Sequence, residues 1–285
     1  MKGIITRTIG GFFFVAGKDQ QEYRARIRGR IQEEVYPGDR VELNREDMMI
    51  EKVYERDSLL LRPVVANVEQ VLIVHSLDSP PLQRKLLDRF ILLAESADLL
   101  PLIVINKIDL EKKDDYRRSL QDYEQAGYRL CFTSAASETG LSRLRSELDD
   151  RINVTCGPSG AGKSSLINRL VDKADLPTRS ISKKLKRGVH TTKHIRLLPL
   201  ESGGWLADTP GFSSLDISQI NADRIKFYFP EFSGYHADCK FNTCSHTHEP
   251  GCAVKKAVAN GEISEQRYRS YRAFYQELEQ KQKGM

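Results

Sequence analysis

The first 62 residues carry short runs of alternating apolar and polar side chains, separated by turn-forming sequences. The runs fall at residues 4–9, 12–15, 23–28, 40–43 and 48–54, and glycine, proline, asparagine or aspartate occupies the gaps between them. Runs of this length and spacing predict β-strands. This part of the chain is therefore expected to fold as a small all-β module.

From residue 64 onward the pattern changes to an alternation of strands with helices. Strands are predicted at 68–75, 102–105, 128–132 and 152–156, and helices at 83–96, 114–126, 141–150 and 165–170, with Ser142 as the N-cap of the third helix. Residues 194–200 and 205–208 are expected to form a hairpin around Gly203 and Gly204. Such βα alternation predicts a parallel sheet with helices on both faces.

After about residue 218 no strand pattern remains. A segment rich in cysteine and histidine precedes a predicted helix at 262–283, whose apolar stripe is formed by Tyr268, Tyr271, Phe274, Tyr275 and Leu278. Spacing of three to four residues favours packing over base stacking for this stripe.

The predicted architecture is therefore a multidomain α/β protein. We expect an N-terminal β-barrel at 1–62, an α/β domain at 63–218 and a small helical module at 219–285. Five strands in about 60 residues suit a barrel of the oligonucleotide-binding type, although another small all-β module has the same strand count.

Composition is that of an ordinary globular protein, with 40% hydrophobic and 29% charged residues. The longest apolar run covers residues 99–105 and contains Pro101. It is far shorter than the roughly 20 residues that cross a bilayer. Arg7 interrupts the apolar stretch near the N-terminus, so no secretory signal is predicted. We expect a cytoplasmic protein without a membrane partner.

Basic residues are concentrated in one segment. Residues 178–196 hold seven lysines or arginines and no acid, so removing these seven from the net charge of +5 leaves −2 for the rest of the chain. Such a segment attracts phosphate backbones. A solvated loop without a ligand is the other interpretation that charge alone allows.

Three of the five cysteines cluster near histidines. Cys239, Cys244 and Cys252, with either His246 or His248, supply the four ligands of a closed tetrahedral zinc site. No position is left for water in such a site, so its role is expected to be structural. Unrelated reduced cysteines are the alternative.

Residues 157–164 fit the pattern G-x-x-x-x-G-K-[ST] between a predicted strand and a predicted helix. The glycines let backbone N–H groups point at phosphates, and the helix N-terminus adds partial positive charge. The lysine reaches the β- and γ-phosphates and the serine hydroxyl binds Mg²⁺. The predicted phosphate-binding residues are Gly157, Pro158, Ser159, Gly160, Ala161, Gly162, Lys163, Ser164 and Ser165.

A second motif indicates which nucleobase the predicted phosphate-binding site accommodates. Asn106, Lys107 and Asp109 follow a predicted buried strand, at the sheet edge where ligands bind in open α/β folds. A carboxylate there accepts both N1–H and the exocyclic amino group of guanine, which adenine does not offer together. Ser134 and Ala135 follow the next strand and are expected to place a backbone N–H near guanine O6. A helix cap is the alternative for Asp109.

A third motif, D-x-x-G, ends the predicted strand 205–208. Asp208 is expected to hold Mg²⁺ through water, and the Gly211 N–H to sense the γ-phosphate. Thr191 or Thr192, in the basic segment, is expected to complete the Mg²⁺ shell when the γ-phosphate is present.

Together these motifs resemble those of a GTP-binding domain, but in a changed order. N-K-x-D at 106 and S-A at 134 precede the phosphate loop at 157, whereas they usually follow it. The domain is thus circularly permuted, which a fold tolerates when the joined ends lie close together on the surface. With the barrel and the Cys/His module on either side, the whole chain resembles the ribosome-small-subunit-dependent GTPase A family (RsgA type).

The resemblance implies a GTP hydrolase that produces GDP and phosphate in late maturation of the 30S ribosomal subunit. It further implies binding to 16S rRNA, stimulation by the small subunit, Mg²⁺, and one Zn²⁺ per chain held by Cys239, Cys244, His246 and Cys252. A monomer is expected. The residues expected to contact RNA are Lys183, Lys184, Lys186 and Arg187.

Slow intrinsic hydrolysis is expected, because Phe212 occupies the place where many GTPases carry the glutamine that orients the attacking water. His190 is the candidate for this role in cis, since imidazole can hold a water molecule. The family tends to have Gly-Arg-His-Thr-Thr-Thr here, and this chain departs from it at Val189 and Lys193. An exposed loop histidine is the other interpretation.

Three other functions are weighed against this one. A non-catalytic, GTP-gated RNA-binding module would bind nucleotide without multiple turnover. A zinc-dependent DNA-binding regulator needs a recognition helix with base-reading side chains after the cysteines, and no such helix is predicted. An ATPase would leave Asp109 without a role.

Overall fold

A computed structural model of the chain describes residues 1–17, 21–61, 63–111, 116–171, 195–200, 203–208 and 215–283. The N-terminal part is a closed five-stranded barrel, as predicted. Its strands are β1 (Lys2–Ile9), β2 (Phe12–Gly17), β3 (Glu22–Ile27), β4 (Arg40–Asn44) and β5 (Met49–Val53), joined in the order β1-β2-β3-β5-β4. The β3–β5 pair is parallel and the other pairs are antiparallel. Five strands closed in a Greek-key barrel are typical of the oligonucleotide-binding fold.

A short hairpin that the sequence pattern does not predict follows the barrel. Strands β6 (Leu59–Leu61) and β7 (Val64–Ala66) pair across the predicted boundary between residues 62 and 63. Each strand has only three residues, which is too short for alternation to be visible. The boundary itself stays a prediction.

The central part contains a six-stranded sheet of the predicted kind. Its strands are β8 (Gln70–His75), β9 (Leu100–Ile105), β10 (Arg129–Phe132), β11 (Ile152–Cys156), β12 (Arg196–Pro199) and β13 (Trp205–Asp208), in the order β10-β9-β8-β11-β13-β12. All neighbours are parallel except β12 and β13, which form the predicted hairpin.

Helices cover both faces of this sheet. On one face α1 (Arg84–Glu95) and α2 (Gln121–Gln125) pack against Val71 and Ile73 of β8. On the other, α3 (Leu141–Leu148) and α4 (Lys163–Leu170) pack against Leu72 and Val74. Because successive side chains of a strand point to opposite faces, one apolar strand serves both cores.

Two predicted helix features are wrong. The predicted helix 114–126 contains a 3-10 helix at Arg118–Leu120 and then the short α2, because the buried Leu120 has φ −122° and interrupts the helical backbone. Ser142 is not the N-cap of α3: Gly140 holds that position with φ +74°, and Ser142 lies inside the helix. A Cβ on Gly140 would lie 2.0 Å from the carbonyl oxygen of Phe132, so the chain passes too closely for a serine cap.

The C-terminal module is built from short helices around the cysteines. It contains 3-10 helices at Ala222–Tyr228 and Pro230–Asp238, then α5 (Ala253–Ala259) and α6 (Glu265–Lys283). No strand occurs among residues 215–283. The predicted packing role of the α6 stripe is confirmed, since Tyr268, Tyr271, Phe274 and Leu278 are buried. Neither α5 nor the 3-10 helices were predicted.

A buried charge network joins this module to the central part. Arg267 of α6 is 1% exposed and donates hydrogen bonds to Asp88 of α1 and to Glu231, each at 2.8 Å. Burial lowers the pKa of Arg267, but the two carboxylates outweigh that effect and the net shift is upward, so the guanidinium stays charged. Among the described helices, none is long and apolar enough to cross a membrane.

Candidate functional site

The predicted phosphate-binding loop, called the phosphate loop below, lies between β11 and α4 at the C-terminal edge of the sheet. Gly157, Gly160 and Gly162 have φ of +131°, +84° and +92°. Residues other than glycine rarely adopt such backbone angles. A Cβ on Gly157 would lie 2.0 Å from the carbonyl oxygen of Val74. The glycines therefore let the loop run close to β8 and turn into the N-terminus of α4, with backbone N–H groups available to an anion.

Lys163 begins α4, and its ammonium lies over this loop. Its Nζ donates to the carbonyl oxygens of Gly157 at 2.8 Å and Pro158 at 2.7 Å. Partial burial lowers the pKa of Lys163. An anionic ligand in the loop would compensate that desolvation, as phosphate oxygens do.

Asn106 ties the loop to the predicted base-binding segments. Its Nδ2 donates to the carbonyl oxygen of Ala161 at 3.0 Å, and its Oδ1 accepts from Thr133 Oγ1 at 3.3 Å and from the Ala135 N–H at 3.2 Å. The side chain is buried, 2% exposed. One amide thus joins three loops that are 27 to 55 residues apart in the chain. The motifs at 106, 134 and 157 share one edge despite their reversed order.

The remaining residues predicted to bind the base line the same edge. Lys107 takes φ +66° and donates from Nζ to the carbonyl oxygen of Ser79 at 2.8 Å. Asp109 is exposed in the 3-10 helix Ile108–Leu110. Ser134 is buried, and its hydroxyl accepts the N–H of Ser137 at 3.0 Å. The Ala135 N–H bonds to Asn106 here, and its contact with guanine O6 stays a prediction.

The third motif is described only in part. β13 pairs with β11, so the backbone of Asp208 lies at the same sheet edge as the loop. The Asp208 side chain lies outside the described residues. So do the threonines predicted to bind Mg²⁺ and the residues predicted to contact RNA, to orient water or to sense the γ-phosphate, which are Lys183, Lys184, Lys186, Arg187, His190, Thr191, Thr192 and Gly211.

Comparisons with known proteins agree with this geometry. A family model described as RsgA GTPase matches residues 45–218, and one described as RsgA N-terminal domain matches residues 2–49. The chain belongs to the RsgA GTPase family. RsgA GTPases of Clostridium botulinum (strain 657 / Type Ba4) and Halalkalibacterium halodurans, each named small ribosomal subunit biogenesis GTPase, are 41% and 42% identical to it. The alignments span 290 and 291 residues and cover 99% of this chain in both cases, and 99% and 98% of the relatives.

Two solved structures share the fold of this chain. YloQ, described as a circularly permuted GTPase, superposes with a TM-score of 0.83 at 32% identity, covering 98% of this chain and 95% of its own. YjeQ from Thermotoga maritima superposes with a TM-score of 0.82 at 37% identity, covering 97% of this chain and 98% of its own. The permuted RsgA GTPase fold predicted from motif order is confirmed. The DNA-binding and ATPase alternatives are not favoured, and neither is the non-catalytic module.

The predicted metal ligands of this RsgA GTPase come together. The ligand atoms of Cys239, Cys244, His246 and Cys252 all lie within 4.8 Å of one another, and all four residues are buried. His248 is exposed and bonds to Thr247, outside the cluster. Burial raises the pKa of the Cys244 thiol. A metal ion would displace its proton on binding. Three sulfurs and one imidazole suit Zn²⁺.

The orientation of His246 is set by a residue that the sequence analysis missed. Its Nδ1 lies 3.6 Å from Cys239 Sγ and 3.4 Å from Cys252 Sγ, so this nitrogen is the one aimed at a metal. Its Nε2 lies 2.9 Å from Nδ1 of His236, and the two rings stack with centroids 5.0 Å apart. Such an outer hydrogen bond fixes the tautomer of a ligating histidine. The sequence pattern of the metal ligands begins at Cys239, so it did not predict that His236 contacts one of them.

His75 is a second residue that the sequence analysis missed. It ends β8 beside the phosphate loop, buried edge-on against Phe90 at 6.1 Å, and its Nε2 finds no hydrogen-bond partner among the described residues. Burial, with the charge of Lys163 as a smaller cause, lowers the pKa of His75 to about 4. The imidazole is therefore neutral next to the phosphate-binding lysine. A histidine at the end of a strand buried on both faces does not stand out in the hydrophobic pattern, so the sequence did not predict its position beside the phosphate loop.

Proposed function

We propose that this RsgA-family GTPase hydrolyses GTP on a maturing small ribosomal subunit, and that contact with 16S rRNA stimulates the reaction. The full-length relatives are named small ribosomal subunit biogenesis GTPase, which supports the subunit as the partner. The observation that carries the nucleotide part is the Asn106 amide. It holds the phosphate loop and the base-binding loops at one edge.

In this proposal the phosphates lie on the loop between β11 and α4. The ammonium of Lys163 exchanges its two carbonyl partners for β- and γ-phosphate oxygens. Asp109, exposed at the same edge, accepts the two N–H groups of guanine. Because Asn106 bonds to both loops, the distance between the phosphate and base subsites is set before the nucleotide arrives.

Hydrolysis further needs a Mg²⁺ ion on the phosphates and a residue that holds the attacking water. The hydroxyl of Ser164, the carboxylate of Asp208 and the hydroxyl of Thr191 or Thr192 are the proposed Mg²⁺ ligands, and oxygen is the ligand atom that Mg²⁺ prefers. Mg²⁺, when bound, neutralises charge on the β- and γ-phosphates. His190 holds the attacking water in place of the usual glutamine, and Gly211 senses the γ-phosphate.

The barrel supports RNA as the contact. Arg24 and Arg26, both exposed, lie over the ring of Phe12 at 3.6 and 5.0 Å, and Arg7 lies over Phe14 at 4.0 Å. Guanidinium groups stacked on rings at a barrel surface suit a nucleic-acid backbone with unpaired bases. The basic residues Lys183, Lys184, Lys186 and Arg187 add phosphate contacts in this proposal, a few residues before Thr191 and Thr192 in the chain.

The test is GTP turnover with and without purified 30S subunits. We expect slow release of phosphate by the protein alone and a large increase with 30S subunits. Lys163→Ala should abolish both, whereas Lys256→Ala, an exposed lysine on α5, should change neither. Release of no more than one phosphate per chain with 30S subunits would instead support a non-catalytic, GTP-gated module.

Finer features belong to the same proposal. We infer a cytoplasmic monomer with one Zn²⁺ per chain in the Cys₃His cluster, and domains at 1–62, 63–218 and 219–285. His190→Ala should lower 30S-stimulated turnover while GTP affinity stays the same. Undiminished turnover would remove His190 from the mechanism.

A further inference from the structure

The helical module at residues 219–283, which we call the zinc module after its proposed Zn²⁺ site, displays two phenylalanine rings on its outer surface. Phe227, in the 3-10 helix Ala222–Tyr228, is 57% exposed, and Phe241, just after Cys239, is 41% exposed. The core of this module is already filled by other aromatic side chains, including Phe229, Phe232 and Phe274. The two rings therefore lie outside a completed core, with their faces open to solvent or to a ligand.

Each exposed ring is paired with the lysine that precedes it. Lys226 Nζ lies 5.4 Å from the ring centroid of Phe227, and Lys240 Nζ lies 5.6 Å from that of Phe241. The neighbouring side chains Asn242 and Thr243 are exposed and polar. Two rings that each carry an ammonium group differ from the continuous apolar patch of a protein interface.

The two pairs are held next to each other by the metal-binding turn. Lys226 Nζ donates to the carbonyl oxygen of Cys244 at 3.0 Å, and the Cys244 N–H donates to the carbonyl oxygen of Phe241 at 3.1 Å. The ring of Phe227 meets His236 edge-on at 5.4 Å, and His236 contacts the ligand His246. The positions of both rings thus depend on the Cys₃His cluster.

We propose that Lys226, Phe227, Lys240 and Phe241 form an aromatic platform on which unpaired bases of RNA stack. The proposal rests on the proposed function, in which the partner contains RNA. Residues 222–244 contain three basic and three acidic residues, so their net charge is zero. Attraction at the platform comes from the ring faces, with the two ammonium groups beside phosphates, and not from bulk charge as in residues 178–196.

The test measures binding of the full-length, zinc-loaded protein to a fluorescein-labelled RNA of about 16 nucleotides. The same sequence is offered as a single strand and as a duplex, and anisotropy gives both affinities. Phe227→Ala with Phe241→Ala should weaken single-strand binding about tenfold or more. Because stacking carries the effect, the fold loss should persist when salt is raised, and duplex binding should change little.

A matched variant separates stacking from folding. Phe227→Tyr with Phe241→Tyr keeps both rings and should retain the affinity, and zinc content and GTP affinity should be unchanged in both double variants. Unchanged single-strand affinity in the alanine variant overturns the platform. So does a variant that loses 30S association but keeps its RNA affinity, since the platform then binds a ribosomal protein.

The same measurements distinguish the platform from the proposed function. If 30S subunits fail to stimulate the unsubstituted protein while the alanine variant still loses single-strand affinity, the proposed function fails and the platform stands. If stimulation is normal and the alanine variant binds single strands as tightly as before, only the platform fails.

Discussion

The nucleotide-binding edge and the zinc module obtain their geometry in different ways. The nucleotide edge collects loops from distant parts of the chain, placed by parallel strands and joined by the buried Asn106 amide. The zinc module gathers its four proposed zinc ligands within residues 239–252, and no strand occurs among residues 215–283. A sheet can hold a site before its ligand arrives, whereas a strand-free turn needs its metal. The two regions should therefore fail under different treatments.

Removal of zinc should have the largest effect, and only on one of the two regions. Structural zinc contributes on the order of 10 kcal/mol to small zinc modules. Chelation, or Cys244→Ser, should therefore speed hydrogen exchange throughout residues 239–259 by orders of magnitude. GDP affinity should stay within about twofold, because the sheet supplies the nucleotide edge.

The control is the same exchange experiment with zinc restored. Loss of GDP binding in parallel with loss of zinc would contradict the separation of the two regions.

Arg267 tests the joint between the regions, with the next largest effect. Arg267→Met leaves Asp88 and Glu231 buried without their cation, which should cost about 3–5 kcal/mol in the free energy of unfolding. Urea unfolding measures this cost. Arg269→Met, two residues along α6 in an exposed pair with Glu265, should change stability by no more than about 0.5 kcal/mol. Equal effects of the two substitutions would show that the buried network does not join the regions.

Two glycines with the same backbone angle test the close approach at the nucleotide edge. Gly162 and Gly127 both have φ +92°, but a Cβ on Gly162 would lie 2.3 Å from Asn106 Nδ2, whereas nothing lies within 4 Å at Gly127. Both substitutions by alanine should cost roughly 1–2 kcal/mol of backbone strain. Only Gly162→Ala should also lower GDP affinity, by about tenfold or more, in a titration followed by calorimetry. Similar GDP affinities in the two variants would refute the role of the Asn106 contact.

The smallest expected effect is a pH dependence at His75. Its folded pKa of about 4 lies below the unfolded value of about 6.5, so the unfolded chain takes up a proton first as pH falls. The stability contributed by neutral His75 is complete above about pH 6.5 and is lost as pH falls toward about 4. His75→Phe should therefore lose less stability than the unsubstituted protein between about pH 7 and about pH 5, with zinc in excess.

Unfolding in urea at the two pH values measures that difference. His248→Gln, at an exposed position outside the zinc cluster, should behave as the unsubstituted protein does. An identical pH response of the His75→Phe variant would remove His75 as its source.

The sequence predicted local features better than contacts between distant segments. The barrel strands, the phosphate loop and the Cys₃His ligands each carry their signal in neighbouring residues. The structure confirms the barrel and brings the four cysteine and histidine side chains together. The Asn106 bridge, the Gly140 cap and the buried Arg267 depend on partners 8 to 179 residues away, which no local pattern reveals. Motif order nevertheless predicted the permuted topology, because each motif also fixes the strand end on which it lies.

In the proposed function, Asp109 and the phosphate loop form one guanine-nucleotide site. The most direct measurement is the affinity of the Asp109→Asn variant for GDP, xanthosine diphosphate and ADP, set against that of the unsubstituted protein. An amide cannot accept both guanine N–H groups, so GDP affinity should fall by about a hundredfold while the xanthine nucleotide, with a carbonyl at that position, gains. A preference for GDP that is unchanged in the variant would contradict the account.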